Sequence, residues 1–197
     1  MEATGEQAYA ARRLFPYFTG PEQNFDFLYL GAWANGTSMG RDMALYAENG
    51  GDAEEAWDDA ADCSASIMYG SYEIQALSTI ADGGGEFMVA ISDCTVGHAL
   101  SGGQALGALE RFNAYRVANG MEIPTFAWFP VFGPGGGDFT FKLAQVYAGP
   151  QHCGDAFQWA VDNQSYVVQG NMMDGVLSCD LPRLYNGETI MNNMTSD

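Results

Sequence analysis

The feature that most constrains this chain is an internal repeat. Aromatic, proline, glycine and cysteine residues recur in the same order in two parts of the sequence, first 114 and then 116 positions apart. The matched positions are 15–18 with 129–132, Phe25 with Phe139, Phe27 with Phe141, Trp33 with Tyr147, Gly40 with Gly154, Cys63 with Cys179 and Tyr69 with Tyr185. Ordered matches over about 60 residues indicate a duplication, so we expect two related units.

The second copy has the pattern β-α-β-β-α-β. Its predicted elements are a strand at 86–94, a helix at 101–119, strands at 125–132 and 138–147, a helical region at 152–169 that breaks near Asn163, and a last strand at 176–184. Pro130 lies late in the second of these strands, which suits an edge position. The third is apolar on both faces, as in a sheet that has helices on one side and closes into a barrel on the other. This order predicts a ferredoxin-like α+β unit with an antiparallel sheet.

The first copy is incomplete, because Met1 falls on Tyr115 inside the first helix of the second copy. The first strand and most of the first helix are missing. We expect the end of that helix at about 5–11, strands near 12–18 and 24–33, helices near 38–48 and 52–62, and a strand near 63–74. This divides the chain into an incomplete repeat at 1–80 and a complete one at 81–197. Either homo-oligomerisation covers the open edge, or the sequence is the downstream part of a longer chain, which we favour.

Two of the four cysteines are expected to lie together. In a ferredoxin-like sheet the strand order is 4-1-3-2, so the first and last strands are neighbours. Cys94 ends the first strand of the second copy, and Cys179 begins its last. This places them within reach of a disulfide, the alternative being two buried free thiols. A disulfide would favour a periplasmic or extracellular location. Cys63 matches Cys179, and its partner would lie in the missing strand.

Charge excludes some partners. Seven Lys and Arg residues stand against 25 Asp and Glu, a formal net charge of −18. Nucleic-acid binding gains most of its affinity from Lys and Arg on phosphates, so neither nucleic acid nor an anionic membrane is expected as a partner. No apolar run approaches the roughly 18 residues of a membrane span. The acidic stretch at 52–62 matches no calcium loop and is expected to be a solvated helix face.

The repeat pattern resembles the dimeric α+β barrel superfamily, which includes stress-responsive barrel proteins, NIPSNAP-like proteins and antibiotic-biosynthesis-type monooxygenases. The stretches 25–33, FDFLYLGAW, and 178–186, SCDLPRLYN, also resemble uncharacterised proteins of marine bacteria and environmental collections. The resemblance implies two ferredoxin-like units whose sheets join into one barrel, here within a single chain. It transfers no catalytic residue, because members of the superfamily share a fold and not a site.

Within such a barrel the candidate catalytic residues are His98 and His152, since a histidine beside the pocket could act as a general base or a haem ligand. The sequence contains no Cys-x-x-Cys or His-Glu-x-x-His pattern, so neither a metal nor a cofactor is expected. The glycine runs at 83–85 and 135–137 lead into strands, which indicates a linker and a hairpin turn and not phosphate loops.

The aromatic residues suggest a pocket for an apolar ligand. Candidate lining residues on or near barrel strands are Trp33, Trp128, Phe139, Phe141 and Tyr147. Core filling is the alternative use of these rings. Lys142, the only lysine, would point to the face opposite Phe141. It could act there as a base or an anion anchor, or be a snorkelling or barrel-rim lysine.

Three functions remain open from the sequence. The first is binding of a small apolar molecule, and the second is a cofactor-independent oxygenase or isomerase reaction with a histidine base. The third is a structural or oligomerising module without a ligand.

Overall fold

The computed structural model describes residues 9–20, 25–63, 65–76, 86–98, 100–133 and 137–194. In these ranges it has strands β1 Tyr9–Phe18, β2 Leu28–Trp33, β3 Met68–Gln75, β4 Phe87–Val96, β5 Thr125–Phe132, β6 Phe141–Tyr147, β7 Leu177–Cys179 and β8 Arg183–Asn192. The helices are α1 Gly36–Asn49, α2 Gly51–Ala60, α3 Gly102–Ala118, α4 Pro150–Asp162 and α5 Ser165–Met173. None of these helices is long and apolar enough to cross a membrane.

The strands form one antiparallel sheet in the order β2-β1-β8-β4-β6-β5-β3, and the short β7 pairs with the end of β4. The part β8-β4-β6-β5 has the order 4-1-3-2 that the sequence predicts for the second copy. A similar run of elements, two strands, two helices and a strand, occurs once as β1-β2-α1-α2-β3 and again as β5-β6-α4-α5-β8, where the short β7 is inserted before β8. The expected boundary between the repeats, at 80/81, lies outside the described residues.

The central strand β4 is buried on both faces because its side chains alternate between two apolar clusters. Met88, Ala90 and Cys94 point to the side covered by helices α3, α4 and α5. Phe87, Val89, Ile91 and Asp93 alternate with them and point to the other side. The continuous apolar run in this segment therefore reflects two packed faces.

Helix α3 packs its apolar residues against the helix-covered face of the sheet. Ala105, Ala108 and Leu109 lie against Phe141 and Leu143 of β6 in one buried cluster. The helix begins at a capping box, in which Ser101 and Gln104 satisfy each other's backbone amides. It ends at Asn119 and Gly120, where the glycine has φ +81°.

On the opposite side, the sheet curls around a third apolar cluster, and we call this side the concave face. Residues from β1, β2, β4, β5, β6 and β8 contribute to this cluster, so strands distant in the sheet order meet there. Its members are Leu14, Phe25, Leu28, Leu30, Phe87, Val89, Ile91, Phe126, Trp128, Ala144, Val146 and Tyr185. The fold is thus α+β, with the curled antiparallel sheet expected of an α+β barrel.

The structure differs from the sequence expectations near both ends of the chain. Tyr9, Ala10 and Ala11 are not the end of a helix but the start of β1, where they pair with β2. Their alanines suit a helix by propensity, yet sheet packing buries both of them, and tertiary context prevails. The predicted last strand is two strands, because the chain leaves the ladder between Cys179 and Arg183.

Strand β5 is not an edge strand, since it pairs with β6 on one side and β3 on the other. Pro130 is tolerated because it lies beyond Trp128, the last β5 residue paired with β6, and beside a register shift in the pairing with β3. At such a position the missing N–H breaks no regular ladder.

The Cys94–Cys179 disulfide is present, with the two Cα atoms 4.0 Å apart on paired positions of β4 and β7. This confirms the pairing predicted from strand order. Cys63 is free and exposed, whereas Cys153 is free and buried.

Candidate functional site

A cluster of four charged residues lies at one end of the concave face. The Asp93 carboxylate binds the Lys142 ammonium group and also accepts a hydrogen bond from Arg183 Nη1 at 3.2 Å. Arg183 Nη2 lies 3.3 Å from Asp180 Oδ2. Two cations and two anions thus neutralise each other, and Asp93, Lys142 and Arg183 are only about a quarter exposed.

Strand register positions this cluster. Lys142 pairs with Asp93 across β4 and β6, and Arg183 pairs with Ile91 across β4 and β8. Directly paired residues lie on the same face of a sheet, so the three charges converge. Asp180 follows β7, and its carboxylate accepts a hydrogen bond from the Asp93 backbone N–H at 2.7 Å.

An open cleft of about 610 Å³ borders this cluster. It is lined by Asp93, Thr95, Gly137, Asp138, Phe139, Ser178, Cys179 and Asp180. The Phe139 ring lies 4.4 Å from Lys142 Nζ, which is a cation–π contact. The cleft therefore combines a small apolar wall with carboxylates at the rim of the concave face.

A third cation, Arg12, lies on the same face but farther along the strands. It pairs with Leu30 of β2 and Thr189 of β8, and it is half-buried. Within the described part of the chain it makes no ion pair and no side-chain hydrogen bond. Burial lowers the pKa of its guanidinium group, since the charged form loses hydration there.

The adjacent Arg13 differs from Arg12 because it has an acidic partner. It points to the other side of β1 and forms a salt bridge with Glu188. One residue of strand alternation thus separates a paired arginine from an unpaired one.

Beside these charged residues, the concave face presents apolar and aromatic side chains. Phe126, Trp128 and Val146 are only partly buried there. Tyr69 of β3 lies beside Trp128, with ring centroids 6.4 Å apart. Burial, and secondarily the Asp93 charge, raises the pKa of Tyr69.

The structure separates the five aromatic residues that the sequence suggested as pocket lining. Trp128 lies on the concave face, and Phe139 lies at the rim cleft. Phe141 and Tyr147 are buried on the helix-covered face. Trp33 lies on the outer face of β2, where its ring contacts Tyr9 at 4.9 Å.

The two histidines lie apart from the charged cluster. His98 is exposed in the turn after β4. His152, in the first turn of α4, accepts a hydrogen bond from the Ala148 N–H at 3.1 Å and touches the Tyr147 ring edge-on. It lines a second open cleft, of about 500 Å³, on the helix-covered side.

Sequence analysis missed Arg12, Asp93 and Arg183 as site residues. A signal exists for Arg12 alone, as a charge that alternates with Ala10 and Leu14 in an otherwise apolar strand face. Asp93 and Arg183 are 90 positions apart and meet only through the sheet. Among the described residues, no group of His, Cys, Asp and Glu side chains could hold a metal ion.

No protein-family profile matches the chain, and no curated protein matches it. Among solved structures, it is similar to the crystal structure of an anthrone oxidase-like protein, with a TM-score of 0.50 and 12% identity over 93% of this chain and 76% of the other. A likeness at this identity shows the fold and carries no activity. The chain therefore has an α+β barrel-like fold, in agreement with the superfamily that its sequence resembles.

Proposed function

We propose that the chain binds a small molecule with a flat apolar body and one anionic group on the concave face. The observation that carries this proposal is an unpaired, half-buried Arg12 on the same face of the sheet as an apolar cluster that includes the partly buried Phe126 and Trp128. A half-buried cation without a counterion favours an anionic partner.

The balance of charge supports Arg12 as the anchor. Asp93 and Asp180 already neutralise Lys142 and Arg183, so that cluster offers no net positive charge. The apolar side chains supply the larger share of the affinity, because ligand pockets are lined predominantly by hydrophobic and aromatic residues. Arg12 then sets the orientation of the ligand.

A matched pair of probes tests this function. We expect 2-naphthoate to bind more tightly than the neutral 2-naphthalenemethanol, as measured by quenching of tryptophan fluorescence and by calorimetry. Arg12→Gln should weaken naphthoate binding by roughly tenfold or more, since a charge-assisted hydrogen bond contributes about 1.5–3 kcal/mol. The same variant should leave binding of the alcohol unchanged.

Arg13→Gln is the control, because it removes the same charge from the other side of β1. Trp128→Leu should weaken binding of both probes. The proposal is wrong if neither probe binds, or if Arg12→Gln and Arg13→Gln change naphthoate binding equally. A structural or oligomerising module would then be the favoured function.

A cofactor-independent oxygenase or isomerase is the second candidate. The observation that favours it is the Lys142–Asp93 pair at the rim cleft, where a ligand on the concave face would meet a proton donor and an acceptor. Conversion of a bound hydroxylated aromatic probe by the wild type but not by Asp93→Asn would support it. Conversion lost only in His98→Ala or His152→Ala would favour the histidine base instead.

A further inference from the structure

The internal repeat matches the two end strands of the sheet with two strands near the centre of its second half. Strands β2 and β3 lie at the two ends of the sheet order, and each is paired on one side only among the described strands. By sequence repeat and element order they correspond to β6 and β8. Between β6 and β8 lies β4, antiparallel to both.

Burial differs between the corresponding positions. Phe141 is 0% exposed and Tyr185 3% exposed where they pair with β4 at Cys94 and Val89. Their counterparts in the first half, Phe27 and Tyr69, are only partly buried. Tyr29, the counterpart of Leu143, is 40% exposed. Phe141 and Leu143 are covered by Cys94 of β4 together with helix α3, and Tyr185 is covered by β4 residues on the concave face. Among the described residues, the corresponding surface in the first half is more exposed.

A cysteine of the first half corresponds to a cysteine of the disulfide in the second half. Cys179 precedes β8 and is bonded to Cys94 at the end of β4. Cys63, its counterpart in the repeat, precedes β3 outside any strand, and it is free and exposed. A strand that lay beside β3 as β4 lies beside β8 would bring its own position 94 next to Cys63.

We propose that β2 and β3 together bind one further polypeptide strand, antiparallel to both, that has the chemistry of β4. Such a strand is apolar on both faces and carries a cysteine at the level of Cys63. Backbone hydrogen bonds to two open edges supply affinity, and the alternating side chains supply register. An exposed edge of this kind is otherwise a template for unspecific pairing.

The test uses the chain's own β4 sequence as the probe. A synthetic peptide of residues 86–97, with two added lysines for solubility, is supplied as its mixed disulfide with glutathione. When the peptide docks, the Cys63 thiolate attacks the peptide sulfur, the bond between peptide and glutathione breaks, and glutathione leaves as a thiolate. The adduct is located by mass spectrometry of proteolytic fragments.

We expect a 1:1 adduct at Cys63, formed at least about tenfold faster than with a peptide that has proline at the Ala90 position, because docking raises the local concentration of the sulfur. Hydrogen exchange should slow in both β2 and β3. In the Cys63→Ser variant the covalent bond is lost, but the slowing of exchange should remain.

Two results would overturn the proposal. Equal reaction rates for the two peptides would mean that Cys63 reacts as an ordinary exposed thiol. Sedimentation of the protein as a dimer, with β2 and β3 already protected and no peptide uptake, would assign the edges to a second copy instead. Neither result depends on whether the concave face binds naphthoate.

Discussion

Tyr147 is buried on the helix-covered face, with 6% of its surface exposed. Burial raises the pKa of its phenol to about 12, and the nearby Cys153 adds to this shift while Arg116 opposes it. The neutral phenol is the form that the folded chain holds. Loss of the Tyr147 proton at alkaline pH therefore favours the unfolded chain.

We predict that the free energy of unfolding falls as the pH rises from 10 towards 12. In this window the unfolded chain has released the Tyr147 proton and the folded chain still holds it, so rising pH favours unfolding. A shift of this size corresponds to about 2–3 kcal/mol. Urea unfolding at a series of pH values should show a shallower fall for Tyr147→Phe. A variant at the exposed Tyr17 is the control, and an equal fall in both variants would contradict the assignment.

At the scale of elements, the pairing of β4 with β8 depends on a glycine. Gly187 lies opposite Phe87 on the concave face, and a Cβ atom there would come within 2.3 Å of the Phe87 ring. Phe87 is itself buried in the concave cluster, so the ring has little room to move. Close packing of two strands is what requires glycine at this position.

We predict that Gly187→Ala lowers the free energy of unfolding by about 1–3 kcal/mol, as overpacking does in well-packed cores. In the Phe87→Leu background the same substitution should have a smaller effect, and urea unfolding of the four proteins measures the coupling. Gly154→Ala in α4 is the matched control, because its Cβ would meet nothing within 4 Å. It should stabilise the helix by roughly 0.5–1 kcal/mol. Additive effects at Gly187 and Phe87 would rule out the contact.

At the scale of the whole molecule, one covalent bond ties the two ends of the second half together. The Cys94–Cys179 disulfide spans 85 positions and encloses α3, β5, β6, α4 and α5. A cross-link over a loop of this length reduces the entropy of the unfolded chain.

We predict that Cys94→Ala with Cys179→Ala lowers the free energy of unfolding by about 4–5 kcal/mol in the chain-entropy account. Urea unfolding with and without reductant measures the same difference in the wild type. Cys63→Ser should leave stability within about 0.5 kcal/mol, because an exposed thiol outside the core contributes little. A double variant as stable as the wild type would show that the second half is stable without the disulfide.

The sequence by itself predicted the order of the elements in the second half, apart from β7, together with its strand order and the cysteine pairing. Periodicity predicts helices and strands wherever one pattern dominates, as in the apolar stripe of α3. A β-α-β-β-α-β order leaves few ways to arrange four antiparallel strands, so Cys94 and Cys179 become neighbours. These inferences need only local pattern and chain connectivity.

Only the tertiary structure decided which residues share the concave face. Strands β4 and β6 are apolar on both sides, so their alternation defines two faces without telling which one meets the helices. For this reason Phe141 and Tyr147, predicted as ligand-lining residues, lie under helices, whereas Trp128 lies on the concave face. The charged cluster depends on the register between strands whose charged residues are 49 and 90 positions apart. Local sequence does not encode that register.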